Sequence, residues 1–255
     1  MSTLIKVNQL RKTYGKGEKA FHAVDGISFE LEQGEFIAVM GPSGSGKSTL
    51  LNLLSTIDRP TEGDIIVEGA NLSAMTEKDL ADFRQKKLGF IFQEYNLLDS
   101  LTVEENIMLP LAISKAAPQT MKQRVQILTT IFGIDRLLKH FPHQLSGGQK
   151  QRTAACRALV ADPAFIFADE PTGALDSKSA TDLLERLNRI NSDQETTILM
   201  VTHDAYAASF CRRVMFIKDG CLFKELYRRD RSQNDFFKKI LEEIATTGGE
   251  TDEVH

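Results

Sequence analysis

Short apolar runs dominate the first ninety residues, at positions 4–10, 27–31, 36–40 and 64–68. Between them lie turn signals at Gly15-Lys16-Gly17, Gln33-Gly34 and Glu62-Gly63, a pattern that predicts short strands joined by tight turns. A helix is expected after residue 46, and another over 77–87 before a strand at 88–92. Beyond Gln93 the period changes. Met121, Val125, Leu128 and Phe132 recur at intervals of four, three and four, which sets them on one helical face. Residues 103 to about 160 therefore read as mostly helical. Strand and helix then alternate again: a strand at 165–168, a helix over 177–190 with Leu183, Leu184, Leu187 and Ile190 inward, and a strand at 197–201. Residues 214–217, the turn Asp219-Gly220 and residues 221–226 predict a hairpin. A last helix over 234–245 and a disordered tail over 246–255 complete the reading. The expected architecture is an α/β nucleotide-binding core of mostly parallel sheet, with a helical subdomain inserted after Gln93 and ending near Asp162.

Composition narrows the function. With 255 residues, 42% of them apolar and 26% charged, the chain can bury a substantial core. A net charge of −4 gives no basic face, so no nucleic-acid partner is expected. No apolar run reaches the length of a bilayer span, and the N-terminus has no secretory look. Cys156, Cys211 and Cys221 show no C-x-x-C spacing, which suits a reducing cytoplasm rather than a disulfide framework or metal site. Work at a membrane would then need a partner to hold the chain there.

The strongest chemical signal follows the run at 36–40. Gly41-Pro42-Ser43-Gly44-Ser45-Gly46-Lys47-Ser48-Thr49 fits G-x-x-x-x-G-K-[ST] between a predicted strand and helix, the context of a phosphate-binding P-loop. Average composition yields that pattern by chance in about one chain of this length in a hundred. The glycines let backbone N–H groups converge, and the helix start turns its positive end toward an anion. Lys47 is placed to reach the β- and γ-phosphates, and the Ser48 hydroxyl to ligate Mg²⁺. A second piece is Phe165-Ile166-Phe167-Ala168-Asp169-Glu170, an apolar strand ending in two carboxylates. In a P-loop enzyme the Asp of such a pair holds Mg²⁺, and a carboxylate beside it can polarise the attacking water. The third is Leu145-Ser146-Gly147-Gly148-Gln149, opening a segment whose alanines favour helix. Ser146 can cap that helix while two glycines leave N–H groups open to an anion. The chain thus carries two anion-cradling helix starts but one lysine-bearing loop, which suggests that each serves a different nucleotide in a paired molecule.

These segments, with Gln93, Ala174-Leu175-Asp176 and His203, stand in the order found in ATP-binding-cassette (ABC) ATPase subunits, and the chain resembles that family over about residues 4–226. The resemblance implies a P-loop core with an antiparallel β subdomain and the inserted helical subdomain, an ABC ATPase domain over 1–230 and a C-terminal helix after it. It also implies ATP and Mg²⁺ as cofactors and a head-to-tail homodimer closing on two ATP molecules. Tyr14 matches the residue that stacks on adenine, Gln93 the glutamine that senses Mg²⁺ and water, and His203 the switch histidine at the γ-phosphate. Asp176 matches a loop crossing the dimer interface; on residues alone it is a helix cap. Gly173 departs from the pattern, where many relatives carry Ser.

Residues 88–107 are similar to the macrolide-exporter and lipoprotein-release group. The runs at 95–98 and 236–241 are similar to bacitracin-resistance ATPases, which work with an integral membrane permease on peptide antibiotics. This implies a cytoplasmic subunit held at the inner face of the membrane through its permease, with no direct membrane insertion. A non-transport ATP switch in cell division or envelope signalling, or lipoprotein release, is the alternative. A DNA-repair ATPase is disfavoured by the lack of long heptad arms and Cys-pair motifs, and a serine hydrolase by Ser45 standing where G-x-S-x-G needs glycine. The apolar stretch 95–101 is either a groove for a permease helix or part of the helical core.

Overall fold

A computed structural model describes residues 3–248. In chain order the strands and helices are β1 (Thr3–Tyr14), β2 (Phe21–Glu32), β3 (Phe36–Met40), α1 (Lys47–Leu54), β4 (Glu62–Val67), β5 (Ala70–Asn71), α2 (Glu77–Lys87) and β6 (Leu88–Ile91). There follow α3 (Val103–Ile113), α4 (Pro118–Phe132), α5 (Gly147–Leu159), β7 (Phe165–Asp169), α6 (Ser177–Gln194), β8 (Thr197–Val201), α7 (Ala205–Ala208), β9 (Arg213–Lys218), β10 (Cys221–Tyr227) and α8 (Gln233–Gly248). An antiparallel sheet runs β2-β1-β4-β5, and a larger one β10-β9-β3-β8-β7-β6. In the larger sheet every neighbouring pair is parallel except the β9–β10 hairpin.

β3 is buried along its whole length, because both faces of the parallel sheet are covered. Its side chains alternate between two cores. Phe36, Ala38 and Met40 join the helices, with Phe132, Leu159 and Leu187. Ile37 and Val39 point the other way, to α1 and the antiparallel sheet, among Leu10, Val24, Leu50 and Ile65. β7 divides likewise, Phe165 and Phe167 to one side, Ile166 and Ala168 to the other. The central sheet is the shared wall of both cores.

The helical segment is the crossover between β6 and β7, which are parallel neighbours. Thr102 and Glu105 form a capping box that starts α3. In α4, Val125, Leu128 and Phe132 are buried and Met121 is partly so, as their spacing predicts, and Gly133 ends the helix in the left-handed conformation. The stretch 95–101 is not core: Leu98 is 49% exposed. Asn106, fully buried, holds it in shape, accepting from Leu98 N–H and donating to the carbonyls of Leu98, Leu101 and Thr102.

Strands β1 and β2 run longer than the apolar pattern predicts. Past Leu10 the apolar alternation stops, yet pairing continues through Arg11↔Asp25, Lys12↔Val24 and Tyr14↔Phe21, with an Arg11–Asp25 ion pair on the added length. Cross-strand pairing supplies what alternation lacks. The last helix continues through Thr246 to Gly248, beyond the expected end at 245; the rest of the expected tail lies outside the described residues.

Cys156 and Cys211 are buried and Cys221 is exposed. Burial raises both interior thiols well above their ordinary range, which keeps them protonated. Titration with a bulky thiol reagent should therefore modify Cys221 alone in the native protein and all three after unfolding; rapid native labelling of Cys156 would contradict this packing.

Candidate active site

Four of the parallel strands end at one edge, and each delivers part of the expected constellation. β3 leads into Gly41–Thr49, β8 into His203, β7 into Asp169 and Glu170, and β6 into Gln93. Asp169 pairs in register with Val201, so Glu170 and His203 leave adjacent strands side by side. Ligands of open α/β sheets bind at this carboxyl edge.

The loop between β3 and α1 is wedged between the two sheets. Gly46 has φ +100, and a Cβ there would stand 2.1 Å from the carbonyl oxygen of Ala23 in β2. Gly44, by contrast, would place a Cβ in open space, so the mouth of the loop is free. Lys47 Nζ donates to the carbonyls of Gly41 and Pro42, 2.8 Å each, which brings its ammonium over the loop. Burial lowers its pKa, opposed by the charges of Glu170 and Asp169. Ser45 is buried and its hydroxyl has no hydrogen-bond partner among the described residues. Ser43, Ser48 and Thr49 complete the loop and the first turn of α1.

Burial raises the Asp169 pKa, the neighbouring Glu170 raises it further, and Lys47 works against both. Two carboxylates beside one ammonium leave negative charge uncompensated at the edge. Glu170 adopts φ +45, and one carboxylate oxygen, Oε1, lies 2.9 Å from His203 Nδ1. This contact suits a carboxylate oxygen of Glu170 accepting from the Nδ1–H tautomer of His203. The Gln93 amide packs over Gly173, with 3.1 Å from Nε2 to the place of a Cβ there. The departure from Ser at 173 thus gives Gln93 room. The hydroxyl of Ser48, the carboxylate of Asp169 and the amide oxygen of Gln93 are hard oxygen donors suited to Mg²⁺, an ion that takes few protein ligands and completes its shell with phosphate and water. The described residues contain no cluster of three or more His, Cys, Asp or Glu that could hold a metal.

At the end of β1, Tyr14 is 43% exposed. Its hydroxyl donates to Asp58 at 2.7 Å, and the Lys12 ammonium lies 4.9 Å from the ring centroid. Lys12 in turn pairs with Asp58 at 2.6 Å, so the ring is fixed in orientation.

Ser146–Gln149 stands apart from this group, at the start of α5. Ser146 Oγ accepts from Gln149 N–H at 3.3 Å, and Gln149 Oε1 accepts from Ser146 N–H at 2.9 Å. This capping box uses the N–H groups of Ser146 and Gln149 and leaves those of Gly147 and Gly148. Asp176 caps the neighbouring α6 through Ser179 N–H at 3.0 Å, and bonds from Ser179 N–H and hydroxyl lower its pKa. A Cβ on Gly148 would lie 2.7 Å from Ser179 Oγ and 2.9 Å from its Cβ. The two helix starts are packed too tightly for any side chain at 148.

A family model described as ABC transporter matches residues 24–173. The chain belongs to that family. It is an ATP-binding cassette and an ATPase. It is 50% identical over 254 residues to the ABC transporter ATP-binding protein YxdL of Bacillus subtilis, covering 100% of this chain and 98% of that protein. To the bacitracin export ATP-binding protein BceA of Halalkalibacterium halodurans it is 49% identical, over 96% of this chain and 97% of that one. Among solved structures, the ATP-binding cassette MJ0796 of Methanocaldococcus jannaschii, a dimer in a post-hydrolysis state bound to ADP and Pi, superposes with a TM-score of 0.82 and 37% identity. That match covers 89% of this chain and 99% of the other.

The cassette also holds residues that no motif marks. Gln151, fully buried on α5, donates from Nε2 to the carbonyls of Phe92 at 3.1 Å and Pro171 at 2.8 Å. It therefore ties the signature helix to the segments carrying Gln93 and Glu170. Nothing in its spacing distinguishes it from the other helix residues of 147–159. Asp58 carries no local signal, because its bonds to Tyr14 and Lys12 span 44 and 46 residues.

Gly46→Ala should be destabilised by about 2–4 kcal/mol, because a Cβ meets backbone at a strained φ. Urea unfolding measures it; an unchanged midpoint would mean that the loop does not sit against Ala23.

Proposed function

We propose that this chain is the ATP-hydrolysing subunit of a transporter, dimerising head to tail on ATP and powering an integral membrane permease that exports or detoxifies peptide antibiotics such as bacitracin. The observation that carries the dimer is the division of labour within one chain. Lys47, Gln93, Asp169, Glu170 and His203 gather at the sheet edge, while Ser146–Gln149 forms its own open helix start on α5. One chain supplies half of each of two sites. The ADP- and Pi-bound MJ0796 cassette is dimeric, which supports the reading. The permease and its cargo rest on the 49% identity to BceA. The 95–101 loop offers such a permease one exposed apolar side chain, Leu98, set among exposed Asn96, Asp99 and Ser100. No helix among the described residues is long and apolar enough to cross a membrane, so the permease would hold the subunit at the inner face.

In the proposed reaction the adenine stacks on the exposed face of Tyr14, and the backbone of residues 41–48 cradles the phosphates with Lys47. Ser48, Asp169 and Gln93 would hold Mg²⁺, which supplies charge neutralisation of the phosphates when bound. Glu170 accepts the proton of the water that attacks the γ-phosphorus. His203 orients Glu170 through Nδ1–H and, when protonated, offers Nε2–H to the γ-phosphate. The N–H groups of Gly147 and Gly148 from the second copy, with Ser146, close on the same phosphate. Gln149 stabilises that turn, and Asp176 lies beside it across the interface.

Glu170→Gln should bind ATP, form a stable dimer on sizing in its presence, and lose about a thousandfold in turnover. Undiminished turnover would place the base elsewhere. Lys47→Ala should weaken ATP binding by roughly ten- to a hundredfold, from the loss of charge-assisted bonds to phosphate. Calorimetric titration decides it, and wild-type affinity would remove Lys47 from the site. If the neighbouring coding region holds a large permease, co-expression with it should give a complex whose ATPase responds to bacitracin. A four-helix neighbour with no response to peptides would instead favour the cell-division switch.

A further inference from the structure

Tyr95 stands two residues after Gln93 and touches the loop proposed to serve the other nucleotide. A Cβ placed on Gly147 would lie 3.0 Å from the Tyr95 hydroxyl, 3.6 Å from the Ala174 carbonyl oxygen and 3.8 Å from a Leu175 methyl. The turn of Ser146 and Gly147 therefore rests on a platform made by Tyr95 and by the segment following Glu170. Tyr95 reaches it only through an unusual backbone. Both Tyr95 and Asn96 have positive φ, +63° and +47°, a conformation that Asn tolerates and Tyr does not favour. Arg157, partly buried near the far end of the same helix, supports both residues. Its guanidinium donates to the Tyr95 carbonyl at 2.8 Å and to the Asn96 carbonyl. A planar fork spanning two consecutive carbonyls is a geometry that a lysine cannot copy. Gln151 adds a third tie, from the same helix to Phe92 on the near side of Gln93.

We propose that Tyr95 is a positioning residue for the half-site given to the partner copy, held in place by Arg157. It sets the height and tilt of the N–H groups of Gly147 and Gly148, so the segment bearing Gln93 and the turn that closes on the second nucleotide move as one body. Tyr95 touches no nucleotide of its own chain, and its loss leaves the P-loop intact. The proposal rests on the head-to-tail dimer reading and adds to it a route between the two sites.

The test uses the full chain in the Glu170→Gln background, with two readouts: ATP affinity under dilute, monomeric conditions, and ATP-driven dimerisation by analytical ultracentrifugation. Tyr95→Ala should weaken dimerisation by on the order of tenfold or more, the equivalent of one lost interface contact. ATP affinity should stay within about twofold of the parent. Tyr95→Phe, which lacks only the hydroxyl against Gly147, should fall between the two. Arg157→Lys should imitate Tyr95→Ala, and the double variant should be no worse than Tyr95→Ala alone, since both act through one contact. Unchanged dimerisation in Tyr95→Ala overturns the proposal. So does a parallel fall of ATP affinity and dimerisation, which marks a general loss of structure. If the Glu170→Gln parent with Tyr95 intact does not dimerise on ATP, the dimer reading itself fails, whatever the Tyr95 variants do.

Discussion

The parallel register of β3, β8, β7 and β6 is the constraint from which the active-site edge follows. Each strand is four or five residues long; β3 and β8 are buried throughout, β7 all but its last residue, and β6 at alternate positions, so each has one register that suits the cores. Phe36 pairs with Ile198, Phe165 with Thr197 and Leu88 with Phe165. A slip of one residue in β3 would exchange Phe36, Ala38 and Met40 with Ile37 and Val39 between two differently shaped cores. Such a slip forfeits packing on both faces at once, and it would also carry Gly46 off the Ala23 carbonyl. The register that satisfies the cores is the one that lines up residues 41, 93, 170 and 203.

Electrostatics at that edge complements the backbone. Burial lowers the Lys47 pKa and raises that of Asp169; the two acids oppose the first shift, and for the second Glu170 adds to burial while the ammonium opposes it. The cluster is short of positive charge by one unit before any nucleotide is considered. Any triphosphate adds negative charge to that deficit, and a divalent cation bound with it cancels part of what it adds. That is a physical reason for a hard cation here which does not depend on family likeness.

Much of this was legible in the sequence, for an identifiable reason. The lysine-bearing loop 41–49, the Asp169-Glu170 pair at the end of β7 and the pentapeptide 145–149 are each contiguous in the chain, so residue type and order alone mark them. The inward face of α4 was legible because its period reports burial, and β3 was legible as a strand because it is an unbroken apolar run between turn residues. What stayed hidden is contact between distant segments. The extra length of β1 and β2 comes from partners across the sheet, not from their own alternation. Gly147 and Gly148 read as openings for an anion; the structure shows that they are also close-packing positions, under Tyr95 and against Ser179. The surface position of the 95–101 loop depended on Asn106, whose four hydrogen bonds a sequence cannot display.

In the proposed dimer, the two glycines bear on how much of the closed site is built before a second copy arrives. Their environment is intrachain: Tyr95 and Ala174 on one side, Ser179 on the other. The capping box then uses the N–H groups at 146 and 149 and leaves the Ser146 hydroxyl accepting one bond, with its own proton still able to donate. Two N–H groups and one hydroxyl are therefore oriented by folding, not by nucleotide. Groups fixed in advance spare association the entropy of ordering them. A half-site assembled this way can contribute to closure out of proportion to its size. It also makes closure sensitive to whatever holds the turn from behind, and the residues there belong to the segments following Gln93 and Glu170.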